Sequence, residues 1–189
     1  MKFTIRNVSS LLVAMLAITT NSQAAESQAK TLLYISPNDY NYSVRLLHPY
    51  YNYWFEQGPL IEPVALAALK DKFVDVGLCK ANETADTIIK IKPHLFYNPQ
   101  LQVYHSKIVA TVYSGNGHLY GTYVGEAQQQ GFISVDIATK SHITKAYAAA
   151  MQQLMTKLPL NQPADEAKLD TKLTCAMIGA QGEARVNLF

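Results

Sequence analysis

Three groups of residues in this chain of 189 have side chains suited to chemistry or recognition. The densest is His48 to Phe55 (HPYYNYWF), where Tyr50, Tyr51, Tyr53, Trp54 and Phe55 cluster around the chain's only Trp. Tyr and Trp combine flat apolar area with a polar tip, which suits a protein contact, a glycan-stacking platform or a membrane-interface contact. The competing expectation is that these rings cap an uncovered part of their own fold, since large aromatics usually bury themselves. The second group is His94, His105 and His118, expected on successive strands of a meander, with His105 near Glu126 across the sheet. A metal site needs three such ligands to converge. The competing expectation is a set of exposed sheet-face histidines, because a one-residue slip of register sends each to the opposite face. The third group is Cys79 and Cys175, whose spacing fits neither a CxxC redox motif nor a zinc site.

The common catalytic signatures are missing: there is no G-x-S-x-G, H-E-x-x-H or P-loop, and no G-x-G-x-x-G opening a helix after a strand. Ser114-Gly115-Asn116-Gly117 is glycine-rich but falls between two expected strands, so a hairpin turn accounts for it. No cofactor is implied.

The elements that position these residues begin after a leader. Met1 to Ala24 has a basic start (Lys2, Arg6), an apolar stretch from Leu11 to Ile18 and a small-residue pair at Ser22 and Ala24, the layout of a signal peptide cleaved before Ala25. Eight apolar residues are too few to span a bilayer as a helix, which needs roughly 20. No later run is long enough either, so no transmembrane helix is expected. No Cys precedes Cys79, so the chain is expected to be released to the periplasm or medium and not lipidated. Without Lys2 and Arg6 the 16 basic residues fall to 14, matching the 14 acidic ones and removing any electrostatic case for nucleic acid. Export places both cysteines in an oxidising compartment, and an even count permits a single intramolecular pairing. A Cys79–Cys175 disulfide is therefore predicted, with two separate buried thiols as the alternative.

Lys30 to Ser36 reads as a first strand stopped by Pro37-Asn38-Asp39. Residues 40–57 keep neither a strand nor a helix period and read as an irregular aromatic-rich connection. Pro63 suits the first turn of a helix whose apolar face runs from Val64 to Val76, with Gly77 as its stop. Thr87 to Tyr97 alternates apolar and polar residues as a half-buried strand does, and Pro93 within it suggests an edge or a bulge. Leu101 to Ser114 and His118 to Glu126 complete a three-stranded meander around the glycine turn. Ile143, Tyr147, Ala150, Leu154 and Leu158 then recur on one face of a helix, capped at Asp136 or Thr139 and ending before Pro159. The expected fold is α+β: a small, mostly antiparallel sheet of the first strand plus the meander, packed against two helices. Residues 25–158 form this domain, and 159–189 form an appendage tethered by the disulfide.

The strand "ADTIIKIKPHLFY", its partner "KIVATVYSGNGHLYGTYVGE" and the following helix "KAYAAAMQQLMTKL" resemble the YajG-like lipoproteins and the auxiliary lipoproteins of envelope ABC transporters. The resemblance implies a periplasmic binding or scaffolding module without catalysis. The leading expectation is an exported protein that binds another envelope component, protein or glycan, through the Tyr50 to Phe55 region. The alternatives are a secreted hydrolase or metal-dependent enzyme using His94, His105 and Glu126, and a small-ligand carrier with a pocket between sheet and helices.

Overall fold

The computed structural model describes residues 29–48, 50, 52–134, 136–159 and 172–181. The leader at 1–24, Tyr51 and the parts of the C-terminal appendage at 160–171 and 182–189 lie outside the described residues. In chain order the elements are β1 (Lys30–Ile35), α1 (Pro37–Tyr40), β2 (Ser43–Leu47), β3 (Asn52–Glu56), α2 (Gly58–Lys70), β4 (Asp75–Leu78), β5 (Thr87–Asn98), β6 (Val103–Ser114), β7 (Leu119–Gln130), α3 (Asp136–Lys157) and α4 (Cys175–Gln181).

The fold is α+β, built on a five-stranded mixed sheet in the order β4-β1-β5-β6-β7. β5, β6 and β7 form the antiparallel meander, while β1 runs parallel to both β4 and β5. This corrects the expectation of a mostly antiparallel four-stranded sheet. The residues around Gly77, expected to end a helix, instead form β4, with Gly77 opposite Leu32. α2 starts earlier than expected and takes Pro59 in its first turn, leaving Pro63 inside the helix. Its buried face is accordingly Gly58, Ile61, Ala65 and Leu69, and Val74 is exposed beyond its end.

Residues 40–57 are also ordered differently from expectation. They form α1 and a β2–β3 hairpin, not an irregular connection. Ser36 explains the first of these: its hydroxyl accepts the Asp39 N–H at 3.1 Å, with Pro37 in the first turn.

α2 and α3 cover one face of the sheet. Alternate residues of β6 (Tyr104, Ile108, Ala110, Val112) meet Ile143, Ala146, Tyr147 and Ala150 of α3 in the main core. A Cβ at Gly125 of β7 would lie 2.1 Å from the Ala150 carbonyl oxygen, so the absence of a side chain is what lets α3 approach the strand. At the far end of that helix, the Lys72 ammonium donates to the Met155 and Leu158 carbonyls. These are carbonyls at a helix C-terminus, where a cation is favoured.

The opposite face is covered over only part of its area. α4 packs there in a smaller cluster with Leu32, Ile88 and Tyr113. It is held by the Cys79–Cys175 disulfide, with Cα atoms 5.9 Å apart, and by Lys90, whose ammonium donates to the Gly179 carbonyl at 2.8 Å. Within the appendage the described helix is α4, at Cys175–Gln181.

Candidate functional site

The hairpin shows a strict division of labour because its side chains alternate between faces. Val44, Leu46, Tyr53 and Phe55 point toward the main core, and Leu46 and Phe55 are buried in it. Arg45, Leu47 and Trp54 point outward, with Trp54 54% exposed against 6% for Phe55. Arg45 lies directly across from Trp54, its guanidinium carbon 5.9 Å from the ring centroid, within range of a cation–π contact. Tyr42 and Tyr50 flank the hairpin strands and are largely exposed; the Tyr50 N–H donates to His48 Nδ1 at 3.2 Å.

The expected aromatic cluster is thus not a single surface. Trp54 and Tyr50 are presented to solvent, whereas Phe55 is a core residue and Tyr53 is half-buried. The Tyr53 hydroxyl donates to Asp136 Oδ1 at 2.5 Å, pinning the hairpin to the start of α3. Burial and this carboxylate push the Tyr53 hydroxyl pKa well above its ordinary value. A second anchor is internal: the Tyr147 hydroxyl donates to Gln57 Oε1 at 2.9 Å, just after β3. Outward side chains therefore stand on a fixed base.

The hairpin lies beside the stretch of β5 that β1 leaves unpaired. β1 pairs with β5 only as far as Ile35 opposite Ile91, so Pro93 falls where its missing N–H interrupts no β1–β5 ladder. A cleft of about 420 Å³ is lined there by Tyr42, Arg45, Trp54 and Gln57 on one side and by His94 and Leu95 of β5 on the other. Arg45 and Gln57 are not singled out by the sequence; the alternation Val44-Arg45-Leu46 is the one signal for Arg45, and it spans too few residues to stand out.

The uncovered half of the opposite sheet face holds the second group. His94, Lys107 and Glu126 form one cross-strand row, and Phe96, His105 and Gln128 form the next. His105 is therefore opposite Gln128, and Glu126 pairs with Lys107 at 2.9 Å, not with His105. The hydrogen bond and charge of Lys107 hold the Glu126 carboxyl below its usual value. Burial and then the charge of Lys92 hold the His94 imidazole below its ordinary value. His118 is not on a strand: it precedes β7 at the hairpin turn, where its N–H donates to Ser114 Oγ at 3.0 Å and Gly117 takes a φ of 90°. Among the described residues no three His, Cys, Asp or Glu side chains gather to hold a metal. These rows border a cleft of about 600 Å³ on the uncovered face. Tyr147, Ile143 and Ala150 pack in the core between sheet and helices.

Among the described residues no helix is long and apolar enough to cross a membrane. No family model matches the chain, and no curated protein matches it. Among solved structures, the chain is similar to the protein XCC0632 of family DUF330 from Xanthomonas campestris, with a TM-score of 0.50 and 11% identity over 69% of this chain and 86% of that one. It also aligns with a PelC dodecamer protein from Paraburkholderia phytofirmans at a TM-score of 0.40 and 13% identity, over 65% of this chain and 89% of that one. At such identity the Xanthomonas likeness shows a shared fold alone.

Proposed function

We propose that this protein is exported and serves, without catalysis, as a binding or scaffolding module for another component of the cell envelope, with the outward side of the β2–β3 hairpin as its contact surface. One observation carries the reading: Trp54 is 54% exposed on a hairpin whose inward Leu46 and Phe55 are buried in the core. An exposed large aromatic on a rigid base is the arrangement found at recognition hot spots, because the ring loses little freedom on binding. The compartment is supported by the Cys79–Cys175 disulfide, since such bonds persist in oxidising environments, and by the three-part leader at 1–24. We also propose a relationship to the YajG-like and transporter-auxiliary envelope lipoproteins, on the pattern of β5 to α3.

A photo-crosslinking side chain placed at Trp54 in cells tests the contact surface. It is expected to capture a discrete envelope component, protein or glycan, that the same group at Phe55 does not. Unchanged recovery of that component by Trp54→Ala would overturn the assignment.

A further inference from the structure

The cleft beside the hairpin and the cleft on the uncovered sheet face share His94 and Leu95. The two therefore adjoin at His94 of β5, and together they extend from Trp54 and Tyr42 to the far rows of β6 and β7. Their chemistry differs. The hairpin end offers ring faces and the Arg45 guanidinium; the sheet end offers imidazole, amide and ammonium groups on His105, Gln128 and Lys107, with Phe96 beside them.

The geometry points to a linear glycan bearing carboxylates that spans both clefts as one groove. This rests on the proposed contact role of the hairpin and names the partner's chemistry. Charge is the first argument. The fully charged lining groups are Arg45 and Lys107 against Glu126, and Lys107 already neutralises Glu126 at 2.9 Å, so the excess is positive. Asp39 and Lys92, which act on His94 with opposite sign, offset each other. The second argument is shape: sugar rings present apolar faces that stack on flat aromatics and hydroxyl edges that hydrogen-bond planar amides and imidazoles. An extended acidic peptide is the competing occupant, since β5 beyond Ile91 has no β1 partner, and hexaglutamate separates it from the glycan.

Trp54 is the only tryptophan, so its emission reports the hairpin end without labelling. The purified full chain, disulfide intact, is titrated with digalacturonate and hexagalacturonate, with cellohexaose and hexaglutamate as controls. A saturable emission change with hexagalacturonate is expected, weakened about tenfold by Arg45→Gln through loss of the charge partner. His105→Gln is expected to weaken the hexamer about fivefold through a lost hydrogen bond and to leave the dimer unaffected, because only the longer chain reaches β6. No response to either galacturonate at millimolar concentration, an equal response to cellohexaose, or an equal response to hexaglutamate would each overturn the proposal. Equal sensitivity of dimer and hexamer to His105→Gln would overturn the continuous groove. If crosslinking from Trp54 still captures an envelope component while hexagalacturonate fails to bind, the contact surface stands and the acidic glycan is rejected.

Discussion

Lys107 and Ile108 are neighbours on β6 with opposite surroundings. Ile108 is fully buried against α3 in the main core, while Lys107 is half exposed on the uncovered face, paired with Glu126. The same contrast recurs one strand away from the sheet, where Trp54 faces solvent and Phe55 faces the core. The helix-covered face is held by shape, through interdigitated apolar side chains spread over many residues. The opposite face is covered over only part of its area, by the small cluster of Leu32, Ile88 and Tyr113 under α4 and by a few specific links: a disulfide, the Lys90 bond to Gly179, and the Leu173 N–H bond to the Gly115 carbonyl at 2.9 Å. A substitution on the covered side should therefore register as lost stability. On the uncovered part of the other side it should register as lost binding.

The largest effect is expected at the disulfide. Replacing Cys79 and Cys175 with serine releases a link across 96 residues. The chain-entropy cost is about 4–5 kcal/mol, measurable by urea denaturation. A loss below about 1 kcal/mol would show that packing alone holds α4, which would erase the contrast between the faces. Next, Ile108→Ala should cost about 3 kcal/mol through lost burial and a cavity, while Lys107→Ala should stay within about 0.5 kcal/mol. Similar costs at the two positions would break the comparison. Lys72→Met should cost about 1 kcal/mol by leaving the α3 carbonyls without their cation, with the loss read as a lower urea midpoint. Burial already lowers the pKa of this amine, so its charge is held at some desolvation cost and the net effect is modest.

The smallest effect concerns pH. Burial and Lys92 hold the folded-state pKa of His94 below 6.5, so below that value the unfolded chain binds more protons than the folded one. Stability should fall as pH drops from about 6.5 through the folded pKa, and His94→Gln should remove that part of the slope. An unchanged slope in urea titrations at pH 5 and pH 7, taken as about the ends of that window, would contradict the placement of His94 in the groove.

The meander and α3 were legible because their periods run long enough to leave one interpretation: twelve-residue strands with alternating polarity, and an apolar stripe from Ile143 to Leu158. The disulfide was legible because the layout of residues 1–24 points to an oxidising compartment and a count of two leaves one pairing. The hairpin was not, because five-residue strands offer too few alternations, and its partner is itself and not the main sheet. β4 was missed for a similar reason: Val74 and Val76 continue the apolar pattern of α2, and what makes the stretch a strand is the neighbouring β1, which sequence periodicity does not reveal. The site was visible in part. Trp54 and Tyr50 were found by type, but which of the aromatics face outward depends on the register of β2 against β3. His94 and His105 were found as candidates, yet their role as one wall of a groove rests on a fold in which β1 pairs with only the first part of β5.

The division between a face that stabilises and a surface that binds is tested most directly by Trp54→Ala, measured twice on the same preparation. Urea denaturation should show stability within about 0.5 kcal/mol of the parent chain. Pull-down of the envelope component, once crosslinking has identified it, should fall about tenfold or more. A variant that unfolds more easily while recovering its partner undiminished would show that Trp54 serves the fold and that the contact surface is elsewhere.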